Sequence, residues 1–425
     1  MAGQGGRPSV VVTGVGLWTG LGAGRESTWK ALRDGRSALR WLDVEGGSYA
    51  GAPRFEDGRY AVAPGEDPTL ALLERAAFEA MDDARLARNE STVGRPYDPS
   101  RVATLVGLSK GCVQRLSRLA RTRRDTPPDP FATWPNLCWP NAGAALLARL
   151  FDLRGPCLAP VAACATGLIA ALQAADLIRR GACDLALAGA ADASLEPLLL
   201  GAFRRMGVLA NVEGDPSRAV RPWDRKRSGF LVGEGAALLV LERADHARAR
   251  GVRPYVEFLG GAFGADAHHE TRLNPDPSGL AGLLERALAS ARLERSELDL
   301  VNVHGTATLT NDPLECRALR LALGEQAGRV SCTANKGQIG HLLGAAGAAE
   351  LALTCLAMRD GFVPPTLNLD DPDPACDLDG TPHAGRSRLI RAALKVSIGF
   401  GGHMAAALLR RCDGEGRDAG PAGMD

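Results

Sequence analysis

An α/β fold is predicted from three features of the chain. Apolar runs of strand length recur along it, they alternate with stretches whose apolar residues return at helical spacing, and glycine or proline punctuates the joins. Val10-Val11-Val12 reads as the first buried strand, closed early by Thr13, Gly14 and Gly16. Further strands are expected at Val102 to Val106, Leu185 to Ala188, Ala237 to Leu241, Tyr255 to Leu259, Leu298 to Val303 and Arg329 to Thr333. Between them, Gly167 to Arg180 is helix-like and stops at Gly181, while Leu280, Leu283, Leu284, Ala287, Leu288 and Ala291 fall on one helical face. A strand followed by a reactive residue at a helix start occurs twice, at Cys164 and near His341, which suggests an internal duplication. Arg115, Arg118, Arg121, Arg123 and Arg124 read as a basic helix ended by the proline-rich Asp125-Thr126-Pro127-Pro128-Asp129-Pro130. The tail from Asp413 to Asp425 is rich in glycine and aspartate, lacks periodicity and is expected to be disordered.

At 425 residues with 45% hydrophobic side chains, the chain can fill two core-forming units. Lys+Arg total 50 against 49 for Asp+Glu, so no global field argues for nucleic acid or an anionic membrane, and an acidic partner must be met by a local patch. Nothing approaches the ~18 uninterrupted apolar residues of a membrane span. The early glycines argue against a secretory leader at Val10. Gly14-x-Gly16 opens like a dinucleotide fingerprint, but the third glycine falls at Gly20, off the required spacing, so a packing turn is expected there. The 10 cysteines contain no C-x-x-C pair and point to a reducing, cytoplasmic setting.

Cys164 is the most informative residue. It lies in Val161-Ala162-Ala163-Cys164-Ala165-Thr166-Gly167, between an apolar run and a helix-like stretch. A buried cysteine often acts only as a small hydrophobe. At a helix N-terminus, however, unpaired N–H groups and partial positive charge favour thiolate by ~0.3–2 kcal/mol, and the expected effect is a thiol pKa lowered toward neutrality. Two histidines follow downstream. His304 ends Leu298 to Val303 and opens His304-Gly305-Thr306-Ala307-Thr308, with Asp312 and Glu315 beyond. His341 follows Asn335-Lys336-Gly337-Gln338-Ile339-Gly340 and begins the small-residue stretch His341 to Gly347. One cysteine and two imidazoles in such places are the ingredients of thioester chemistry.

These segments, with Pro222-Trp223-Asp224-Arg225-Lys226-Arg227-Ser228-Gly229-Phe230-Leu231-Val232-Gly233-Glu234-Gly235 and Gly399-Phe400-Gly401-Gly402, resemble the signatures of β-ketoacyl-[acyl-carrier-protein] synthases of the elongating type II branch. They occur in the family's order, and the resemblance runs from about Val10 to Arg411. It implies the thiolase fold, two related halves in a five-layered αβαβα arrangement. The halves would be 1–252, holding the nucleophile and a basic insertion at about 115–130, and 253–412, holding the histidines and a glycine-rich gate, before a tail at 413–425. It implies decarboxylative Claisen condensation with malonyl-carrier protein. Cys164 would accept the acyl group, and the peptide N–H groups of Cys164 and Phe400 would form an oxyanion hole that Gly399, Gly401 and Gly402 leave room for. His304 and His341, as neutral N–H donors, would hold the malonyl carbonyl and the enolate. Lys336 would organise the His341 loop with Glu350 as its ion-pair partner, with Asp312 and Glu315 in support.

Thr306 and Thr308 match pantetheine-contacting threonines; their other reading is capping of the turn after His304. Asp266, His269 and Thr271 lie in a segment similar to the family's malonyl-side loop, and His268-His269-Glu270 lacks zinc-site spacing. No bound cofactor is expected, since substrates ride on the phosphopantetheine of an acyl carrier protein acting in trans. The arginine run, with Arg204 and Arg205, reads either as a solvated face or as the dock for that acidic carrier. A homodimer is implied, and a heterodimer with a chain-length partner stays open. Departures from the family pattern are Thr166 beside the cysteine, Val396-Ser397-Ile398 before the gate and His403-Met404 after it, and they point to a specialised pathway. Two alternatives compete: a thiolase-like enzyme using coenzyme A esters, which would carry a second cysteine where Phe400 stands, and a non-catalytic chain-length subunit, which would lack Cys164.

Overall fold

The computed structural model describes residues 8–44, 47–54, 62–63, 66–86, 95–121 and 138–412. The proline-rich loop, Arg123, Arg124, the side chain of Arg121 and the tail at 413–425 lie outside the described residues. In chain order the strands of the main sheet are β1 (Val10–Trp18), β2 (Val102–Gly107), β3 (Cys157–Leu158), β4 (Leu185–Asp192), β5 (Gly235–Arg243), β6 (Val256–Ala265), β7 (Leu298–Asn302), β8 (Ser331–Thr333), β9 (Ala392–Gly399) and β10 (His403–Arg411). The helices that matter here are α1 (Pro68–Asp83), α2 (Val113–Arg121), α3 (Ala142–Phe151), α4 (Thr166–Arg179), α5 (Pro197–Arg205), α6 (Ser278–Ala291), α7 (Asn311–Leu323) and α8 (Ala346–Asp360).

The strand order is β8-β7-β9-β10-β6-β1-β5-β4-β2-β3. From the β3 edge inward, β3, β2 and β4 are parallel, and β5 and then β1 each run antiparallel to the strand before. From the β8 edge the pattern repeats: β8, β7 and β9 are parallel, and β10 and β6 alternate. The chain order repeats as well, as β1-α1-β2-α3-β3-α4-β4-β5 and then β6-α6-β7-α7-β8-α8-β9-β10. The fold is therefore duplicated, with the parallel strands joined by crossover helices as their geometry requires. The half-sheets meet where β1 and β6 pair through Val11↔Glu257 and Val12↔Val256.

Each half-sheet buries both faces. α1 and α3 cover the outside of the first and α6 and α7 the outside of the second, while α4 and α8 pack between them, which makes five layers. α8 is buried on every side from Ala346 to Met358, as expected of a helix at the centre of a core. A Cβ at Gly167 would lie 2.7 Å from Ala348 Cβ, and one at Gly347 would lie 2.9 Å from Leu168 Cβ. Those glycines let the first turns of the two central helices touch, and this contact brings the two reactive segments together.

Gly14 and Gly16 do not turn the chain. β1 runs on to Trp18, because a Cβ at Gly14 would lie 2.2 Å from the Ala80 carbonyl oxygen and one at Gly16 1.9 Å from that of Ala76. The glycines seat α1 directly on the strand. The strands expected at Leu185 and Tyr255 run on to Asp192 and Ala265, while the one expected from Arg329 begins at Ser331, after a 3-10 turn at Gly324–Gly328. Among the described residues no helix is long and apolar enough to cross a membrane.

Candidate active site

Cys164 sits in a 3-10 turn, Ala163–Ala165, directly ahead of α4; its counterpart in the second half is the turn Leu343–Ala345 ahead of α8. The residues that open these turns, Ala163 at φ +46° and Leu343 at φ +47°, occupy the left-handed region. That conformation costs a non-glycine residue about 1–2 kcal/mol, so packing must hold it. Thr166 supplies part of the hold: its hydroxyl accepts the Ala162 N–H at 2.9 Å and donates to the Ala163 carbonyl at 2.7 Å. A serine could make the same two bonds, so Thr166 conserves the turn.

The turn brings Cys164 Sγ to 3.2 Å from His341 Nε2. His341 is held by its backbone, donating N–H to Leu231 O at 2.8 Å and accepting Gly233 N–H at 2.9 Å, and its ring meets Phe230 edge-on at 4.8 Å. The Pro222 to Gly235 motif thus has a local purpose, since its last residues are the rail on which His341 lies. The His304 ring lies 5.5 Å from that of His341. Glu315, on α7, fixes the His304 loop by accepting the N–H groups of His304 at 2.6 Å and Gly305 at 2.9 Å, and burial pushes its carboxyl up to about 7. Asp312 accepts the Trp223 N–H at 2.9 Å, tying the motif's start to the same helix.

Lys336 touches both loops. It opens the helical turn Lys336–Ile339 before His341, and its ammonium donates to the His304 carbonyl and pairs with Glu350 at 2.6 Å. The other oxygen of Glu350 meets Lys395 at 2.6 Å, so one buried carboxylate bridges two buried lysines. Burial lowers Lys395 to about 8, against the pull of Glu350. Removing the shared anion leaves two cations facing each other in the core, an arrangement that costs roughly 3–5 kcal/mol. Glu350→Gln is therefore expected to lower stability by about that amount, and urea unfolding monitored by circular dichroism checks it; a loss under ~1 kcal/mol would mean the carboxylate is dispensable.

Burial, then the positive charge of Lys336, keeps both histidines well below the ordinary imidazole range, so both are neutral. Each Nδ1 is buried without a partner among the described residues. A proton on Nε2 leaves only a lone pair unsatisfied there, which is cheaper than a stranded N–H, so the Nε2-protonated tautomer is favoured in both rings, and the Nε2 of His341 faces Cys164. The thiol departs from expectation. Burial pushes Cys164 up to about 11, with Lys110 and then Lys336 pulling it back. The helix end's ~0.3–2 kcal/mol is too small to offset the loss of water around a sulfur anion. Cys164 rests as a thiol, and thiolate grows with pH. Its alkylation by iodoacetamide, followed by peptide mapping, should rise about tenfold per pH unit from 7 until it levels near pH 11. A plateau near pH 8 would contradict this.

The glycine-rich segment Gly399–Gly402 lies against the turn. A Cβ at Gly399 would lie 3.0 Å from the Cys164 nitrogen, so the peptide groups of Cys164 and Phe400 share one corner of the site. Gly401 and Gly402 both have φ near +80°, and they latch to the loop after β6: Gly401 N–H donates to Glu270 O at 2.7 Å and Asp266 N–H to Gly402 O at 2.9 Å. Asp266 thus braces the glycine-rich segment. His269 accepts the Thr271 N–H at 3.1 Å, which shapes that exposed loop. The hydroxyls of Thr306 and Thr308 are 3.0 Å apart, and Thr308 also accepts the N–H of Asn311, the first residue of α7, at 3.2 Å.

Sequence reasoning missed Lys395, although a lysine inside the apolar strand Ala392–Gly399 was a visible signal. It also missed Lys110 and Asp192, which pair at 2.7 Å close to Cys164; an aspartate ending the apolar run of β4 was the clue.

The chain matches the family "Beta-ketoacyl synthase, N-terminal domain" over residues 7–247 and "Beta-ketoacyl synthase, C-terminal domain" over 255–370. It is 32% identical to the 3-oxoacyl-[acyl-carrier-protein] synthase 2 of Coxiella burnetii, over 95% of this chain and 98% of that one. Among solved structures it is similar to a type II PKS acyl-carrier protein in complex with its ketosynthase bound to the hexaketide, with a TM-score of 0.86 and 30% identity over 96% of this chain and 100% of that one. It is also similar to the ishigamide ketosynthase/chain length factor, with a TM-score of 0.84 and 32% identity over the same shares, 96% and 100%.

Proposed function

The chain belongs to the β-ketoacyl synthase family, and from that premise we propose that it joins an acyl group held on Cys164 to a malonyl group on an acyl carrier protein, giving β-ketoacyl-carrier protein in fatty acid or polyketide-type biosynthesis. It has the thiolase fold of that family, two related halves in five layers. The observation that carries the reading is the nucleophile at 3.2 Å from one neutral imidazole, with a second ring 5.5 Å further on.

In the first step the Cys164 sulfur attacks the acyl thioester; its S–C bond forms, the carrier's S–C bond breaks, and the thiol proton leaves on the carrier sulfur. The His341 N–H steadies the sulfur as it loses that proton. The oxyanion of this step meets the N–H groups of Cys164 and Phe400, a pair of donors of the kind worth ~3–4 kcal/mol each. In the second step malonyl loses CO2, and the electron pair passes into an enolate whose oxygen the N–H groups of His304 and His341 receive. Neutral rings suit this task, since they donate without presenting two cations to one another. In the third step the enolate carbon bonds to the acyl carbon, the acyl S–C bond breaks, and Cys164 leaves as a thiolate that takes a proton from water and returns to the thiol. Lys336, Glu350, Glu315, Asp312 and Lys395 hold the histidine loops and touch no reacting atom. Thr306 and Thr308 would border the pantetheine arm, and Asp266, His269 and Thr271 the malonyl-side loop. No cofactor beyond the carrier's phosphopantetheine enters. Halves at 1–252 and 253–412, a cytoplasmic setting and a homodimer complete the reading, the last supported by Leu158 and Val161, both about half exposed beside the open β3 edge. A catalytically silent chain-length subunit is the weaker reading, because Cys164 is present.

The carrier dock has two candidate parts. Arg204 and Arg205 are exposed at the end of α5, where Arg204 stacks on Tyr49 at 5.6 Å; Phe203 beside them packs on Phe230, which in turn meets His341. On α2, Arg118 is exposed and donates to Glu66 O. Arg204→Glu with Arg205→Glu is expected to raise KM for carrier-bound acyl groups about tenfold, to mimic added salt, and to leave acylation by a short pantetheine thioester within about twofold. Unchanged carrier kinetics would return these arginines to a solvated face. The reaction itself is tested by mass spectrometry of the carrier after incubation with malonyl-carrier and a panel of acyl-carriers. A β-keto product two carbons longer than the starter is expected. Unreacted carriers across the panel would refute the assignment.

A further inference from the structure

A polar network adjoins the apolar cluster that holds Cys164, and none of its members has a task in the three steps. Lys110 Nζ donates to Asp192 at 2.7 Å and to Ser109 Oγ at 2.7 Å, and Ser109 Oγ donates to the same aspartate oxygen at 2.9 Å. The second oxygen of Asp192 accepts the Ser194 hydroxyl, and the first also accepts the Gly344 N–H at 3.1 Å. Gly344 holds the position in the second half that Cys164 holds in the first. Leu343 before it, and Leu195 after Ser194, belong to the same buried apolar cluster as Cys164, together with Leu200, Phe230 and Val232. The network is thus joined at two points to the shell of the nucleophile. Burial aside, Lys110 is the strongest electrostatic influence on the Cys164 thiol, ahead of Lys336.

Asp192 is 3% exposed and Lys110 26%. Taking such a pair largely out of water carries a desolvation cost that leucines of similar volume would not, and a saturated acyl chain beside it gains nothing in return. An ammonium has three N–H donors; among the described residues two of those of Lys110 are committed, to Asp192 and Ser109, which leaves one. The pair is neutral overall, so it favours an uncharged oxygen over a second carboxylate.

We propose that Ser109, Lys110, Asp192 and Ser194 form a specificity element for the group carried on Cys164, and that it selects a short acyl group bearing a keto or hydroxyl oxygen over a saturated chain of equal length. The proposal rests on the condensing reading above, in which Cys164 is acylated.

The wild-type protein is offered hexanoyl-pantetheine in competition with 3-oxohexanoyl- or 5-oxohexanoyl-pantetheine, and Cys164 adducts are read by mass spectrometry. At least one oxo ester is expected to acylate about tenfold faster than hexanoyl, the factor of one charged hydrogen bond. The double variant Lys110→Met with Asp192→Asn, which leaves no lone buried charge, should reduce that preference to about twofold or less. Equal or faster acylation by hexanoyl in the wild type, or an undiminished oxo preference in the variant, overturns the proposal alone. No adduct from any of the three esters overturns the condensing reading and this proposal with it.

Discussion

Cys164→Ala is expected to lower condensation by about 10⁴- to 10⁶-fold, the loss that follows removal of a catalytic nucleophile. The other 9 cysteines offer no replacement. Seven of them, Cys112, Cys138, Cys183, Cys316, Cys332, Cys355 and Cys376, are buried, and for Cys112, Cys332 and Cys355 burial raises the thiol far beyond that of Cys164. Cys157 is exposed on the edge strand β3, and Cys412 lies beyond the last strand. The substitution is also gentle. The Ala162 and Ala163 bonds that hold the turn run through Thr166, not through the thiol, so the variant should fold with unchanged circular dichroism and urea midpoint. Rates measured with acyl- and malonyl-carriers check the loss. A variant that still condenses within about tenfold of wild type would remove Cys164 from the mechanism.

The second large effect separates the two histidines. In the proposed mechanism each donates one N–H toward the enolate, so His304→Ala and His341→Ala should each slow malonyl decarboxylation about 10²- to 10³-fold. They should differ in acylation. His341 Nε2 touches Cys164 Sγ at 3.2 Å, whereas the contact recorded for the His304 ring is with the His341 ring, 5.5 Å away. His341→Ala is therefore expected to slow acyl-enzyme formation as well, by about tenfold, and His304→Ala to leave it within about twofold. Labelled CO2 release and intact-mass acylation measure the two steps apart. Equal losses in acylation for both variants would mean that the thiol answers to the pair and not to its neighbour. This differs from what the sequence alone implies, in which a helix end activates the thiol and both imidazoles serve the malonyl carbonyl and the enolate.

The reason for that difference is physical. A strand, a cysteine and a helix start are local and can be read from Val161 to Gly167, and so can each histidine at the end of its own apolar run. The depth at which Cys164 is buried is not local. It is set by α8 and the Phe230 segment, which arrive from distant parts of the chain, and that burial outweighs the helix end. The duplication was legible only as a hint, because the halves share strand order and not side chains: Gly344 stands where Cys164 does. Gly14 and Gly16 looked like a turn in sequence because their spacing is ambiguous; the carbonyls of α1 at Ala76 and Ala80 decide it. Lys395 and Asp192 were legible as charges in apolar strands, but their partners, Glu350 and Lys110, lie 45 and 82 positions away and meet them only through the order of strands and central helices.

The most direct test of the account follows one acyl group through the site. The protein is charged with a labelled acyl-carrier, freed of excess carrier, mapped by peptide mass spectrometry, and then mixed with malonyl-carrier while CO2 is collected. The account predicts that the label sits on Cys164, that malonyl-carrier discharges it, and that one CO2 appears for each label transferred to the carrier as a β-ketoacyl group. Label on another residue, or discharge without stoichiometric CO2, would contradict it.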